Sequence, residues 1–274
     1  MEVINILIGA LGLIAMLALW WIDRSRRIQV KRITTQKDPD LTKVLELYGR
    51  LFPPDLGNYT MADMEALLVD EFGKEQRRHV PETHFVLAGK LHGDVVSFLF
   101  CHYYPNRRKA IVSYMGSDKD AKEARGRAVD SLVRRLVRHL TDQSPPCTLL
   151  LFECDRPIPG LDPAEQRERE ARPFLFKRTA KDLGYRSFQL PVDFHQPKLN
   201  LETPEYGAPL VLVTILMGTP MTAAIEDEEA LTAATLDFLL FDAYGDYYSP
   251  DDPRHEEYQT YLREQRARYL ARVS

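Results

Sequence analysis

Cysteine is scarce in this sequence, and the three that occur stand apart. Cys101, Cys147 and Cys154 lie in or beside apolar runs, and no pair has zinc or redox spacing. A disulfide scaffold is excluded, and buried reduced thiols suit a cytosolic domain. Charge of one sign is missing too. Lys and Arg number 36 against 40 Asp and Glu, for a net charge of −4, so the chain has no nucleic-acid footprint. Internal repeats and low-complexity tracts are absent, which sets aside a repeat architecture. No set of residues is assigned to a metal.

Against these absences stands one long apolar run, Val3 to Ile22. A helix of that length covers a hydrocarbon core of about 30 Å. Trp20 and Trp21 would lie at the interface, and Arg24, Arg26, Arg27, Lys31 and Arg32 follow at once. Positive residues stay on the cytoplasmic side. The expectation is a single-pass anchor in the cell inner or plasma membrane, with a short N-terminus outside and the rest in the cytoplasm. A cleaved signal peptide fits less well, because Met1-Glu2 supplies no positive charge ahead of the run. The remainder of the 274 residues suffices for one domain of about 200 residues plus extensions.

Lys109 to Leu140 organises that remainder. Ala110–Met115 is a compact β-prone run, broken at Gly116-Ser117-Asp118. Beyond Gly126, apolar residues recur at Ala128, Val129, Leu132, Val133, Leu136, Val137 and Leu140, one face of a helix. A strand feeding a helix start is a place for an anion, because the first N–H groups lack internal partners and the helix dipole adds positive character. Arg125 and Arg127 would supply charge there, and Gly126 close approach to the backbone. An ordinary strand–helix unit with a solvated basic face is the plainer reading. Alternatively Ser117 caps an earlier helix start with Asp120 three residues on, and the anion site moves to Gly116–Asp118.

In chain order, Ile28–Thr35 alternates as a strand. Asp40 can cap a helix over Leu41–Phe52, with Leu41, Val44, Leu45, Leu47, Tyr48 and Leu51 inward, and Pro53-Pro54 ends it. Met61–Phe72 is a second helix, and Glu75–His79 a polar loop. Strands at Thr83–Ala88 and Val95–Tyr104 flank a turn at Gly89–Asp94. After the organising helix, Cys147–Cys154 is an unbroken apolar strand of the buried parallel kind. Glu165–Leu183 is helical, with Gly184 as the C′ residue. Phe188–Val192 and Pro209–Met217 close the sheet. Strands run together and then paired with helices give an α+β protein.

Arg125-Gly126-Arg127-Ala128 ahead of a leucine-rich helix resembles the acyl-CoA signature of the GNAT acetyltransferase superfamily. Phe174-x-Phe176 followed by Leu183-Gly184-Tyr185 resembles the superfamily's helix ending before its sixth strand. The element order from Ile28 to Gly218 is also that of the GNAT fold. The resemblance implies a central mixed sheet of about seven strands flanked by helices. Together with the apolar run, it divides the chain into an anchor (1–23), a GNAT-like acyltransferase domain (24–218) and a C-terminal helical extension (219–274). It implies that the fourth and fifth strands splay around the acyl arm of acetyl-CoA or another acyl-CoA. Backbone at Tyr114, Met115 and Gly116 would hold that arm, and Arg125, Gly126, Arg127 and Ala128 the pyrophosphate. The acceptor would be a small-molecule or peptide amine.

Amine attack on a thioester needs a proton acceptor. Glu153, ending the apolar fifth strand, is the chosen base, because burial there raises a carboxyl pKa. A strand-end residue turning into solvent is the plainer alternative. Glu82, His84 and His102 are further candidates, and Tyr185 reads as core. Ala128 and Asp130 replace small glycine-type residues of the signature, and Ala180 stands where many members carry a tyrosine acid. Those departures point to a second hypothesis, a non-catalytic GNAT-like module acting as a membrane-tethered binding or scaffolding protein. Beyond Gly218, helices at Glu226–Ala243 and Glu256–Val273 carry wide apolar faces. Core packing is expected of them, with a homodimer contact or a lid as sharper options.

Overall fold

The computed structural model describes residues 27–52, 60–78, 84–121, 124, 126–197, 209–245 and 248–272. The expected span Val3–Ile22 lies outside them. Among the described residues no helix is long and apolar enough to cross a membrane. The strands are β1 (Gln29–Ile33), β2 (His84–Leu91), β3 (Asp94–Tyr104), β4 (Lys109–Ser117), β5 (Leu149–Asp155), β6 (Tyr185–Gln189), β7 (Phe194–His195) and β8 (Pro209–Pro220). The helices are α1 (Pro39–Leu51), α2 (Met61–Arg78), α3 (Arg127–Thr141), α4 (Pro163–Asp182), α5 (Glu228–Asp237), a π-helix (Phe238–Ala243) and α6 (His255–Leu270). The eight-stranded sheet has the order β1-β2-β3-β4-β5-β8-β6, with β7 also on β8. This is the expected α+β mixed sheet flanked by helices, with β7 as the strand the sequence did not announce.

The chain divides into two compact units. The first comprises Met1–Arg78, Phe85–Phe100 and Tyr114–Arg135, and the second His79–His84, Cys101–Ser113 and Leu136–Ser274.

In the first unit, β1 runs antiparallel to β2 from Gln29↔Lys90 to Ile33↔Val86. That pairing holds Gly89 and Lys90 in the strand, so the expected Gly89–Asp94 turn shrinks to His92-Gly93. Both have positive φ, 54° and 93°, the backbone that a two-residue hairpin needs. The cap of α1 is Asp38, whose side chain accepts from the Asp40 N–H, and Pro39 opens the helix. Asp40 is not the expected cap. It is 4% exposed and receives Lys31 and Lys90, each at 2.8 Å. Burial pushes its carboxyl up, but the two lysine hydrogen bonds outweigh that and hold it below its ordinary value. The expected inward face of α1 is buried from Leu41 to Tyr48. Helix α2 continues to Arg78, so Glu75–Arg78 is helix and not loop.

In the second unit, β4 and β5 are parallel over Lys109↔Leu149 to Val112↔Phe152. Strand β8 runs antiparallel to β5 from Leu149↔Leu216 to Asp155↔Leu210. Alternation along β5 sends Phe152 to one face, where it stacks on Phe176 of α4 at 4.1 Å. Leu149 and Leu151 go to the other face, in one core cluster with Phe238, Leu239, Tyr258 and Leu262. The C-terminal helices therefore pack into the core of their own unit, as the plainer reading expects. The expected helix Glu226–Ala243 begins at Asp227, whose side chain caps the Ala230 N–H, and passes from α5 into the π-helix.

Candidate functional site

Glu153 follows Leu149 and Leu151 on the same face of β5, the face that the C-terminal helices cover. The parallel register with β4 ends at Val112↔Phe152, so Glu153 is the first β5 residue beyond it. Its carboxylate does not turn into bulk solvent. Tyr244 donates a 2.7 Å hydrogen bond to Glu153 Oε1. Burial pushes the Glu153 carboxyl up, the phenol bond draws it part-way back, and Asp155 raises it again, to about 7. A carboxyl of that strength is a usable general base at neutral pH. Tyr244 itself is pushed well above the usual phenol range by burial and by the carboxylate beside it, and a side-chain hydrogen bond from Gln196 works against that rise.

Tyr244 is delivered by an irregular backbone. The π-helix closes with the Tyr244 N–H on the Leu239 carbonyl at 3.0 Å, an i to i+5 bond. The next carbonyl, of Gly245, is pinned by Gln259 Nε2 of α6 at 2.9 Å.

The phosphate candidates belong to the first unit. Helix α3 starts at Arg127, which rules out the alternative start at Ser117. Gly126 precedes it at φ +73°, with no atom within 4 Å of where a Cβ would stand. Its carbonyl accepts the Asp130 N–H at 3.2 Å, and Ala124 takes the Ala128 N–H at 2.9 Å. Gly126 and Arg127 are exposed, Ala128 is fully buried beside Leu91 and Val96, and Arg125 lies outside the described residues. Asp130 sends its carboxylate along the helix to Arg134 at 2.8 Å. Tyr114 and Gly116 are used in packing. Tyr114 meets Tyr48 and Phe52 edge-on at 5.1 Å, and a Cβ on Gly116 would lie 2.5 Å from Leu51 Cδ1. Met115 is half-buried between them in β4, and Gly116 and Ser117 continue the strand instead of breaking it.

No family model matches this sequence, and no curated protein matches it. The chain is similar to solved acetyltransferase structures. One is a protein of Bacteroides thetaiotaomicron assigned to the GNAT family (15% identity, 78% of this chain and 98% of that one, TM-score 0.45). Another is an N-acetyltransferase of Staphylococcus aureus (15%, 69% and 96%, TM-score 0.40). A third is the diaminobutyrate acetyltransferase EctA of Paenibacillus lautus, solved with L-2,4-diaminobutyric acid and coenzyme A (14%, 72% and 99%, TM-score 0.44). Identities this low leave the site to be read from this chain's own residues.

The remaining candidates divide. His84 and His102 meet with ring centroids 4.0 Å apart, and His102 stacks on Tyr104 at 4.3 Å. They form an aromatic column that ends on Phe238. Glu82 lies outside the described residues. Ala180 is fully buried in α4. The three cysteines are buried thiols, and burial pushes Cys147 and Cys154 up to about 12. A cavity of about 820 Å³ in the second unit, lined by Lys109, Leu149, Tyr185 and Asp227 among others, contains none of the expected site residues. It lies where the β4–β5 register begins, the opposite end from Glu153. Tyr244 is the residue that sequence reasoning missed. It lies 91 positions from Glu153, in a Tyr-rich stretch that reads only as a loop.

Proposed function

We propose that this chain is an acyl-CoA-dependent N-acyltransferase that moves an acyl group, most simply acetyl, onto an amine. The observation that supports this most is Glu153, a carboxyl with a pKa of about 7 on the first β5 residue past the end of the β4 register. The amine must be neutral to attack, so Glu153 takes its proton as the C–N bond forms. The thioester C–S bond then breaks, the leaving thiolate takes a proton from water, and Glu153 returns the amine's proton to water. The resemblance would assign the acyl arm to the Met115 and Gly116 backbone and the pyrophosphate to Gly126 and Arg127, while the Ala128 N–H is already taken by the Ala124 carbonyl.

The residues at the helix start suit phosphate. Gly126 is open on its Cβ side, Arg127 is exposed, and Asp130 is paired with Arg134. The test is thermal unfolding of the full chain with acetyl-CoA, alongside thiol release from a panel of amines. Ligand at a hundred times its dissociation constant adds about 2.7 kcal/mol of stability. The absence of both a shift and released thiol refutes the reading. A shift without release leaves the second reading, a binding or scaffolding module, which the fully buried Ala180 in place of a tyrosine favours.

Val3–Ile22 is proposed as a single-pass anchor in the inner or plasma membrane, with the folded part in the cytoplasm, on the strength of its apolar run and the arginines that follow. Recovery of the full chain in the supernatant after carbonate washing of membranes would refute it.

A further inference from the structure

We infer that Tyr244, carried at the end of the π-helix in the C-terminal segment, is a positioning residue for Glu153. It fixes Oε1 through the 2.7 Å hydrogen bond and leaves Oε2 as the oxygen that takes the proton from the amine. The inference rests on the proposed acyl transfer and adds to it a part of the chain that the family resemblance, which ends at Gly218, does not cover.

Three features make the contact more than a surface pairing. A phenol can donate only one proton, and here it goes to Glu153 Oε1, while the Gln196 side chain acts to lower the phenol's pKa and so makes it the better donor. The backbone on both sides of the phenol is tied down, by the Leu239 carbonyl before it and by Gln259 on the Gly245 carbonyl after it. The pair lies on the covered face of β5, where a hydrogen bond to a carboxylate is worth more than in water. Among the described residues, charged and titratable groups act on the pair from β5 and α6. Asp155 on β5 raises the Glu153 carboxyl and is itself paired with Arg172, while Cys154 is a neutral thiol. On α6, Tyr258 is the group that acts on Tyr244.

Because the phenol bond favours the ionised carboxylate, removing it raises the pH at which Glu153 loses its proton. The experiment uses the full chain with Glu153 followed by carboxyl ¹³C resonance, assigned by its loss in Glu153→Gln. The wild-type midpoint is expected near 7. In Tyr244→Phe it moves up by about one unit, and the acid limb of turnover moves with it. That shift lowers the rate about five-fold at pH 7 and leaves it nearly unchanged at pH 9. The Michaelis constant for acetyl-CoA stays constant, and Tyr244→Phe added to Glu153→Gln causes no further loss. An unmoved midpoint, or an equal loss at every pH in both backgrounds, overturns the inference. Gln196→Leu, which removes the side chain that lowers the phenol's pKa and leaves Tyr244 and Glu153 in place, should shift the midpoint the same way by less, and it serves if Tyr244→Phe fails to fold. A wild type with no turnover but a moving midpoint refutes the acyl transfer and leaves the positioning standing. Turnover with a fixed midpoint does the reverse.

Discussion

Replacing Glu153 by Gln should stabilise the protein by an amount that depends on pH and, on the proposed function, abolish acyl transfer. Burial lifts the folded-state carboxyl from an ordinary 4.5 to about 7. Below pH 4.5 the residue is protonated in both the folded and unfolded chain and contributes nothing. Between 4.5 and 7 the unfolded chain gives up its proton and the folded chain keeps it, so wild-type stability falls as pH rises. Above 7 both forms are ionised and the loss levels off. A difference of two and a half units corresponds to about 3.4 kcal/mol, which solvent at the half-buried residue trims to about 2–3 kcal/mol. Glutamine stays neutral and avoids that loss. Urea midpoints of wild type and Glu153→Gln should therefore diverge between pH 4.5 and 7 and then run parallel. Thiol release by the variant should fall by about 10²–10⁴. A changed hydrogen bond at Tyr244 would add only a constant offset, so the pH dependence carries the diagnosis. A gap of the same size at pH 4.5 and pH 8 would refute the argument that burial weakens this acid.

Asp40→Asn leaves Lys31 and Lys90 without their shared carboxylate, and should cost about 1–3 kcal/mol at pH 7 in urea unfolding, less than a fully buried pair because both lysines keep solvent. Since the folded-state Asp40 carboxyl is held low, wild type should lose that advantage as pH drops below about 4, and the two curves should converge. Gly116→Ala puts a methyl 2.5 Å from Leu51 Cδ1 and should cost about 1–3 kcal/mol, partly recovered by Leu51→Val. Leu262→Ala on the fully buried face of α6 should cost about 2–5 kcal/mol, whereas a loosely attached extension would leave the main thermal transition unmoved.

Periodic features were legible because they answer to local geometry. The face of α3 was marked by its 3.6-residue spacing, and Ala128, Leu132, Val133, Leu136, Val137 and Leu140 are buried, with Val129 half-buried at the edge. The C′ glycine after α4 was marked by composition, and Gly184 has φ +81°. Positions decided by partners far away were misread. Asp40 looks like a cap because it precedes a helical pattern, but Asp38 has the capping geometry while Asp40 is claimed by lysines on β1 and β2. Gly116 looks like a strand breaker, but it is the small residue that lets Leu51 approach β4. Strand β7 is two residues long, too short for any periodicity to show.

The desolvation of Glu153 was legible for one reason and depends on another. An apolar run that ends in a carboxylate implies a desolvated acid, and Glu153 could be picked out on that ground. What sets its strength, however, is the cover on that face of β5, and much of the cover comes from beyond Gly218: Phe238, Leu239, Tyr258 and Leu262 around Leu149 and Leu151, and Tyr244 on the carboxylate itself. The same helices thus bury an apolar sheet face and raise an acid, two effects with one physical origin in the exclusion of water. The stabilising effect of one opposes the destabilising effect of the other. A tyrosine whose hydroxyl donates to Glu153 favours the ionised carboxylate, where a fully dry carboxyl would stay protonated near neutrality.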